Sequence, residues 1–216
     1  SETENFMAGI KIGRMTLGVC ATNCYFLYRE GASEAVLIDP ADRGADLYEG
    51  LKRKGFFVTA ILLTHGHFDH IGGAEQLRRL SGAKLYAPLE EKALCMDPYA
   101  NLSLQFGSKT VVEADQWLSD GQKLTLAGID FLVISTPGHT AGSTCYYVEE
   151  AKILLSGDTL FAGSVGRTDF PTGSMGKLVR SVKEKLFVLP DGTKVYPGHG
   201  EYTTIGEEKE YNPYCQ

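Results

Sequence analysis

LLTHGHFDHIGG, residues 62–73, places three histidines and an aspartate within six positions directly behind an apolar run. The chain has five histidines in all, and each lies in a short glycine-flanked segment: His65, His67 and His70 in THGHFDH at 64–70, His139 in PGHT at 137–140, and His199 in PGHG at 197–200. A fourth segment, SGDT at 156–159, carries Asp158 in the same setting. A lone histidine is usually a capping residue or a satisfied core residue. Placing all five in segments of this type instead points to metal ligation.

A tight H-x-H-x-D-H loop aims alternate side chains at different ions. Imidazole nitrogens and carboxylate oxygens at about 2.0 to 2.2 Å suit Zn, with Fe or Mn as alternatives. Asp158 comes from a separate strand end and offers two oxygens that can touch two ions at once, so a centre of two divalent ions is expected.

The surrounding pattern predicts where that centre sits. IKIGRMTL, NCYFLY and AVLID read as strands, with Gly31 and Ser33 marking the turn between the last two. ADLYEGLKRKG reads as a helix burying Leu47 and Leu51 and closed by Gly55. VTAILLT is then a buried strand that delivers the histidine loop at its carboxyl end, where open α/β folds gather their chemistry. GGAEQLRRLSG and LEEKALCM read as helices and AKLYAP as a strand. The second half repeats the rhythm: KLTLAG, IDFLVIST, STCYYVEE and KILLSGD as strands, GSMGKLVRSVKEKLFVLP as a helix with Leu178, Val182 and Leu186 on one stripe, and TKVYPGH as a last strand. Antiparallel strands in each half, with helices distributed among them, predict an α/β (α+β) fold, a four-layer αββα sandwich. With no repeat, low-complexity tract or linker, residues 1–216 are expected to form a single domain.

Composition narrows the partners. The 216-residue chain is 43% apolar and 22% charged, enough to bury a sizeable core. A formal net charge of −6 argues against a broad electrostatic hold on nucleic acid or anionic lipid. No apolar run approaches the ~18 residues of a membrane span, and SETENF does not read as a signal peptide, so a cytoplasmic protein acting on a small molecule is expected. Oligomeric state is not legible. The five cysteines, Cys20, Cys24, Cys95, Cys145 and Cys215, are odd in number and scattered, which suits reduced thiols. The C-x3-C spacing of Cys20 and Cys24 is a weak metal signal against the alternative of ordinary buried thiols.

The stretches TNCYFLY, LLTHGHFDHIGG, STPGHTAGS, LLSGDTLFAGSVGRTDFP and VYPGHGEYTTIGEE, in this order from residue 22 to 208, resemble the metallo-β-lactamase superfamily, and within it the small glyoxalase II-like hydrolases. The resemblance implies that His65, His67 and His139 hold a first metal, that Asp69, His70 and His199 hold a second, and that Asp158 bridges them. Asp69 and Asp158 are then also the catalytic carboxylates. It implies hydrolysis by a metal-activated water, without a serine or cysteine nucleophile, acting on a thioester such as an S-2-hydroxyacyl thiol.

Asp39 resembles the family's carboxylate behind the ligands, placed to orient an imidazole; the alternative is a turn-forming Asp before Pro40. Arg167, in the stretch that lines the substrate groove of such enzymes, is a candidate for binding a substrate carboxylate; the alternative is a local pair with Asp169.

Full-length glyoxalase II continues past its last histidine ligand into a helical glutathione-binding region. Only residues 200–216 follow His199 here, so that region is not expected and glutathione as carrier is in doubt. A β-lactamase of the superfamily usually has Cys in place of Asp158. The main alternative is a persulfide dioxygenase, which shares the SVGRTDF-like stretch and uses a single non-haem iron held by His65, His139 and Asp158. A lactonase or other esterase is a more distant one.

Overall fold

Runs such as TNCYFLYR and EAVLI are apolar without alternation because both faces of their strands are covered. In the computed structural model, which describes residues 9–216, these are β2 (Thr22–Arg29) and β3 (Glu34–Ile38). The SETENF start lies outside the described residues.

The first sheet begins with β1 (Ile10–Leu17), antiparallel to β2, which pairs antiparallel with β3. It continues parallel through β4 (Phe57–Leu62), β5 (Lys84–Pro88) and β6 (Gln116–Leu118). The expected antiparallel character thus holds for only part of this sheet. Helices α1 (Gly44–Arg53) and α3 (Ala74–Ser81) carry the chain back across the sheet after β3 and β4, and such crossovers make parallel neighbours. The three-residue β6 was not anticipated, because QWL is too short to show a period.

The second sheet is antiparallel across β7 (Lys123–Leu126), β8 (Ile129–Ser135), β9 (Thr144–Val148) and β10 (Ile153–Gly157). After β10 come the small hairpin β11 (Leu160–Phe161) and β12 (Ser164–Val165) and helix α5 (Met175–Ser181). The chain then returns as β13 (Lys194–Pro197), parallel to β10, and ends in β14 (Thr203–Thr204) and α6 (Ile205–Tyr211). Ser174 caps α5 with its hydroxyl, and beyond Ser181 the backbone widens into a π-type turn over Val182–Leu186. Leu178, Val182 and Leu186 nevertheless keep one buried face, as their spacing predicts.

Three apolar layers show the sandwich. Between the sheets, Leu27, Val36, Ile38 and Leu62 meet Phe131, Val133, Tyr146 and Leu155. Outside the first sheet, Leu47 and Leu51 of α1 and Leu77 of α3 pack on Leu37, Ile61 and Leu85. Outside the second, the α5 stripe covers Leu154 and Val195. Each fully buried Leu side chain contributes roughly 1.5 to 3 kcal/mol of apolar transfer. The architecture is αββα, and among the described residues no helix is long and apolar enough to cross a membrane.

Candidate metal centre

The five glycine-flanked histidines and Asp158 arrive from four chain segments at one rim of the sandwich. Behind β4, Leu63 and Thr64 lead into His65, Gly66 and His67, and the chain then enters α2 (Phe68–Ile71), which carries Asp69 and His70. His139 lies between β8 and β9, Asp158 directly follows β10, and His199 follows β13. Gly157, just before Asp158, has φ +51, and a Cβ there would stand 2.6 Å from Thr64 Oγ1. Glycine therefore lets the second sheet's strand end close against the first sheet's histidine loop.

The donor atoms form two groups, His65 with His67 and His139, and Asp69 with His70, Asp158 and His199; within each, the candidate ligand atoms lie within 4.8 Å of one another. Asp158 spans both. Its Oδ1 is 3.2 Å from His70 Nε2, while its Oδ2 is 3.3 Å from His199 Nε2 and 3.5 Å from His139 Nε2. His199 Nε2 is also 3.1 Å from Asp69 Oδ2, and His67 Nδ1 is 3.1 Å from His139 Nε2.

The opposite ring atoms fix how these imidazoles face. Nδ1 of His139 meets the carbonyl of Arg167 at 2.7 Å, Nδ1 of His199 the carbonyl of Cys20 at 3.2 Å, and Nδ1 of His70 the carboxylate of Asp39 at 2.8 Å. An oxygen of this kind only accepts, so each Nδ1 donates and, in the neutral ring, Nε2 turns a lone pair inward. The Thr64 hydroxyl donates to Asp39 Oδ2 at 2.6 Å, so it accepts from His65 Nδ1 at 3.0 Å, with the same result for His65. Asp39, at the end of β3, therefore orients His70 directly and His65 through Thr64. Of the two readings of Asp39, both leave a trace: it contacts an imidazole, and its φ of +53 turns the chain.

His65 Nε2, His67 Nε2, His70 Nε2 and Asp158 Oδ1 are buried without a hydrogen-bond partner. Orphaned polar atoms are rare in protein interiors, and here four lie together, three of them imidazole nitrogens. Divalent cations would satisfy this donor set of nitrogen and carboxylate oxygen. Burial disfavours the charged form of two rings: His65 falls well below the usual histidine range and His67 to about 3. In the second group burial also opposes charge, but contacts with Asp158 and Asp69 outweigh it and lift His199 to about 9. Burial likewise works against the Asp158 carboxylate, yet His70 and its neighbours hold it well below the usual range.

Above the rim opens a cavity of about 420 Å³ with Phe68, Leu102, Phe106, Phe161, Val165 and Phe170 in its walls. Arg167 lines it too, but its guanidinium forks onto Asp169 at 2.6 and 2.7 Å and lies 4.0 Å from the Phe170 ring centroid. Of the two readings of Arg167, the local pair is the contact it makes. All five cysteines are free thiols and none joins the donor groups, although the carbonyl of Cys20 holds His199.

Two supporting residues were not foreseen. Thr22 donates to Asp69 Oδ2 at 3.0 Å, and Glu91, buried in the 3-10 turn Leu89–Glu91 after β5, contacts two of the ligand-bearing loops. Thr22 opens the TNCYFLY stretch, but nothing there marks a role for its side chain, and LEEKALCM reads only as a helix.

The chain has known relatives. The chain is 38% identical to BLEG-1 B3 metallo-beta-lactamase, whose crystal structure superposes with a TM-score of 0.90 over 95% of this chain and 99% of that one. A di-iron-bound form of TTHA1623 is 36% identical, with a TM-score of 0.82 over 94% and 99%. The hydroxyacylglutathione hydrolase GloC of Haemophilus influenzae is 34% identical, covering 89% of this chain and 92% of its own. The sequence profile of the Metallo-beta-lactamase superfamily matches residues 17–199, a span that holds every histidine and both candidate catalytic aspartates, and the chain belongs to that superfamily.

Proposed function

We propose that the chain is a dinuclear metal-dependent hydrolase of thioesters, of the glyoxalase II-like kind, acting on an S-2-hydroxyacyl thiol. The observation that carries this reading is the double engagement of Asp158, whose two oxygens face different histidines at the junction of the two donor groups. His65, His67 and His139 would hold one ion, Asp69, His70 and His199 the other, with Asp158 shared; Zn is the first choice and Fe or Mn the alternatives. When bound, such ions lower the pKa of a coordinated water and polarise a carbonyl.

The chain's own residues supply the rest. Asp39 and the carbonyls of Arg167 and Cys20 hold three imidazoles with Nε2 inward. Thr22 steers Asp69, and Asp69 Oδ2 and Asp158 are the acceptors at the cavity floor for a proton leaving water. The aromatic walls suit an acyl group without a charge of its own. Because Arg167 is already paired with Asp169, the site does not depend on an anionic carrier.

The test is metal content of anaerobically purified protein, read beside thiol release from S-D-lactoyl thioesters under argon and oxygen uptake with a thiol persulfide. Two ions per chain and oxygen-independent cleavage are expected. One iron per chain with persulfide-dependent oxygen uptake would replace this reading with the dioxygenase. The similarity to BLEG-1 favours a second activity, β-lactam opening at the same floor, and hydrolysis of a chromogenic cephalosporin in the same preparation tests it.

A further inference from the structure

Glu91 is a buried carboxylate that the proposed reaction does not use, and no cation pairs with it among the described residues. It sits in the turn after β5, outside the four ligand-bearing segments, yet it reaches two of them. Its Oε1 accepts the Gly66 N–H at 3.0 Å and the Thr140 hydroxyl at 2.5 Å, and its Oε2 accepts the Gly142 N–H at 3.1 Å. Gly66 separates His65 from His67, and Thr140 follows His139 directly. The fit is tight: a Cβ on Gly142 would stand 2.6 Å from the Glu91 nitrogen, and one on Gly66 would stand 3.0 Å from Cys95 Sγ.

Other contacts also join these two loops, but lower down. Thr144 N donates to the Thr64 carbonyl at 2.9 Å and the Tyr146 hydroxyl to the Leu63 carbonyl at 2.6 Å, both at the strand ends. Nearer the loop tips His67 meets His139 directly, and Glu91 joins the backbones of the two loops beside these ligands, where a small drift would change the spacing of donor atoms. Burial pushes its carboxyl up to about 7, against the pull of the three donors. A buried charge is costly to keep, and here every group facing it donates, so the ionised form is the one the pocket is built to accept.

We propose that Glu91 is a positioning residue for the first donor group, clamping the loop of His65 and His67 to the loop of His139 so that their nitrogens converge on one ion. Asp39 performs the corresponding task from the other side, through His70 and Thr64. The inference rests on the metal-binding reading of His65, His67 and His139. Removing an outer carboxylate of this kind typically weakens metal binding by about 10- to 100-fold, and here the loss should fall on one site only.

The experiment is a Zn²⁺ titration of metal-free protein against a chromophoric chelator, with Co²⁺ absorption spectra in parallel, for the parent, Glu91→Gln and Thr140→Val. Glu91→Gln keeps the shape but turns an N–H₂ toward a donor. The expected result is one of two sites weakened about 10- to 100-fold, the other within about threefold, an altered Co²⁺ spectrum, and activity regained at excess Zn²⁺. Thr140→Val removes one donor and should weaken the same site about five- to tenfold; it decides the matter if Glu91→Gln does not fold. Unchanged affinities, or equal weakening of both sites together with a lower melting temperature of the metal-free form, would overturn the proposal. A parent holding one ion would sink the dinuclear reading alone, and the clamp would then stand or fall on whether Glu91→Gln loosens that ion.

Discussion

Asp39 Oδ2 lies 2.8 Å from Nδ1 of His70, with the Thr64 hydroxyl on the same oxygen and the Thr64 N–H on the other. One buried carboxylate thus sets the direction of two imidazoles. Asp39→Asn preserves the left-handed backbone, since Asn tolerates that conformation as well as Asp, but the amide sets a donor against one of these donors. Metal affinity should fall about 10- to 100-fold, and the unfolding free energy of the metal-free form by about 1 to 3 kcal/mol. Chelator competition and urea titration measure the two separately, and an unchanged affinity would reduce Asp39 to a turn residue.

The shared carboxylate is the most sensitive position. Asp158→Asn keeps the size of the side chain but removes the charge that balances two cations. Loss of bound metal and of most hydrolytic activity is expected, with the circular dichroism spectrum of the parent retained. Full metal occupancy with turnover within a few-fold of the parent would show that Asp158 does not bridge.

Metal uptake should release protons. In the metal-free protein burial opposes charge on both rings, but the neighbouring carboxylates prevail, holding His199 at about 9 and His70 above the usual histidine range. At neutral pH both rings carry an extra proton, whereas a coordinating imidazole must be neutral. Loading at pH 7 should therefore release about two protons per chain, and fewer as the pH rises through the His199 value, where that ring is already neutral. Calorimetry in buffers of different ionisation enthalpy counts them; no release at pH 7 would contradict the assignment of these two rings as ligands.

The pair at the cavity mouth gives a test by charge removal. Arg167 and Asp169 are both largely exposed, so their attraction is weak and screened by salt. Asp169→Asn frees the guanidinium and should lower KM for anionic thioesters by a factor of up to about five, with kcat unchanged. Arg167→Ala should alter KM little for neutral substrates. A large rise in KM for anionic thioesters in Arg167→Ala would instead identify Arg167 as a direct substrate anchor.

What the sequence made legible follows from which interactions are local. His65, His67, Asp69 and His70 fall in one short loop, and the apolar strand ahead of them identifies its position at a sheet end. His139, Asp158 and His199 repeat the same glycine-flanked context, so their convergence could be expected without coordinates. The Leu178, Val182 and Leu186 stripe survived even where the helix loosens into a π-type turn, because burial depends on the face and not on the hydrogen-bond pattern. The misses were long-range. The parallel half of the first sheet depends on which edge each crossover returns to, and Glu91 acquires its role only when residues 66, 140 and 142 fold against it. Arg167 showed both possible partners in the sequence, and only the fork geometry separated them.

The donor groups draw on both sheets, with three histidines and Asp69 from the first half of the chain and His139, Asp158 and His199 from the second. A chain still emerging from its ribosome cannot complete either group until residue 139 is available for one and residue 199 for the other. Ion capture is thus a late event in biogenesis that reports on docking of the two halves, and its binding energy accrues to the finished sandwich rather than to any intermediate.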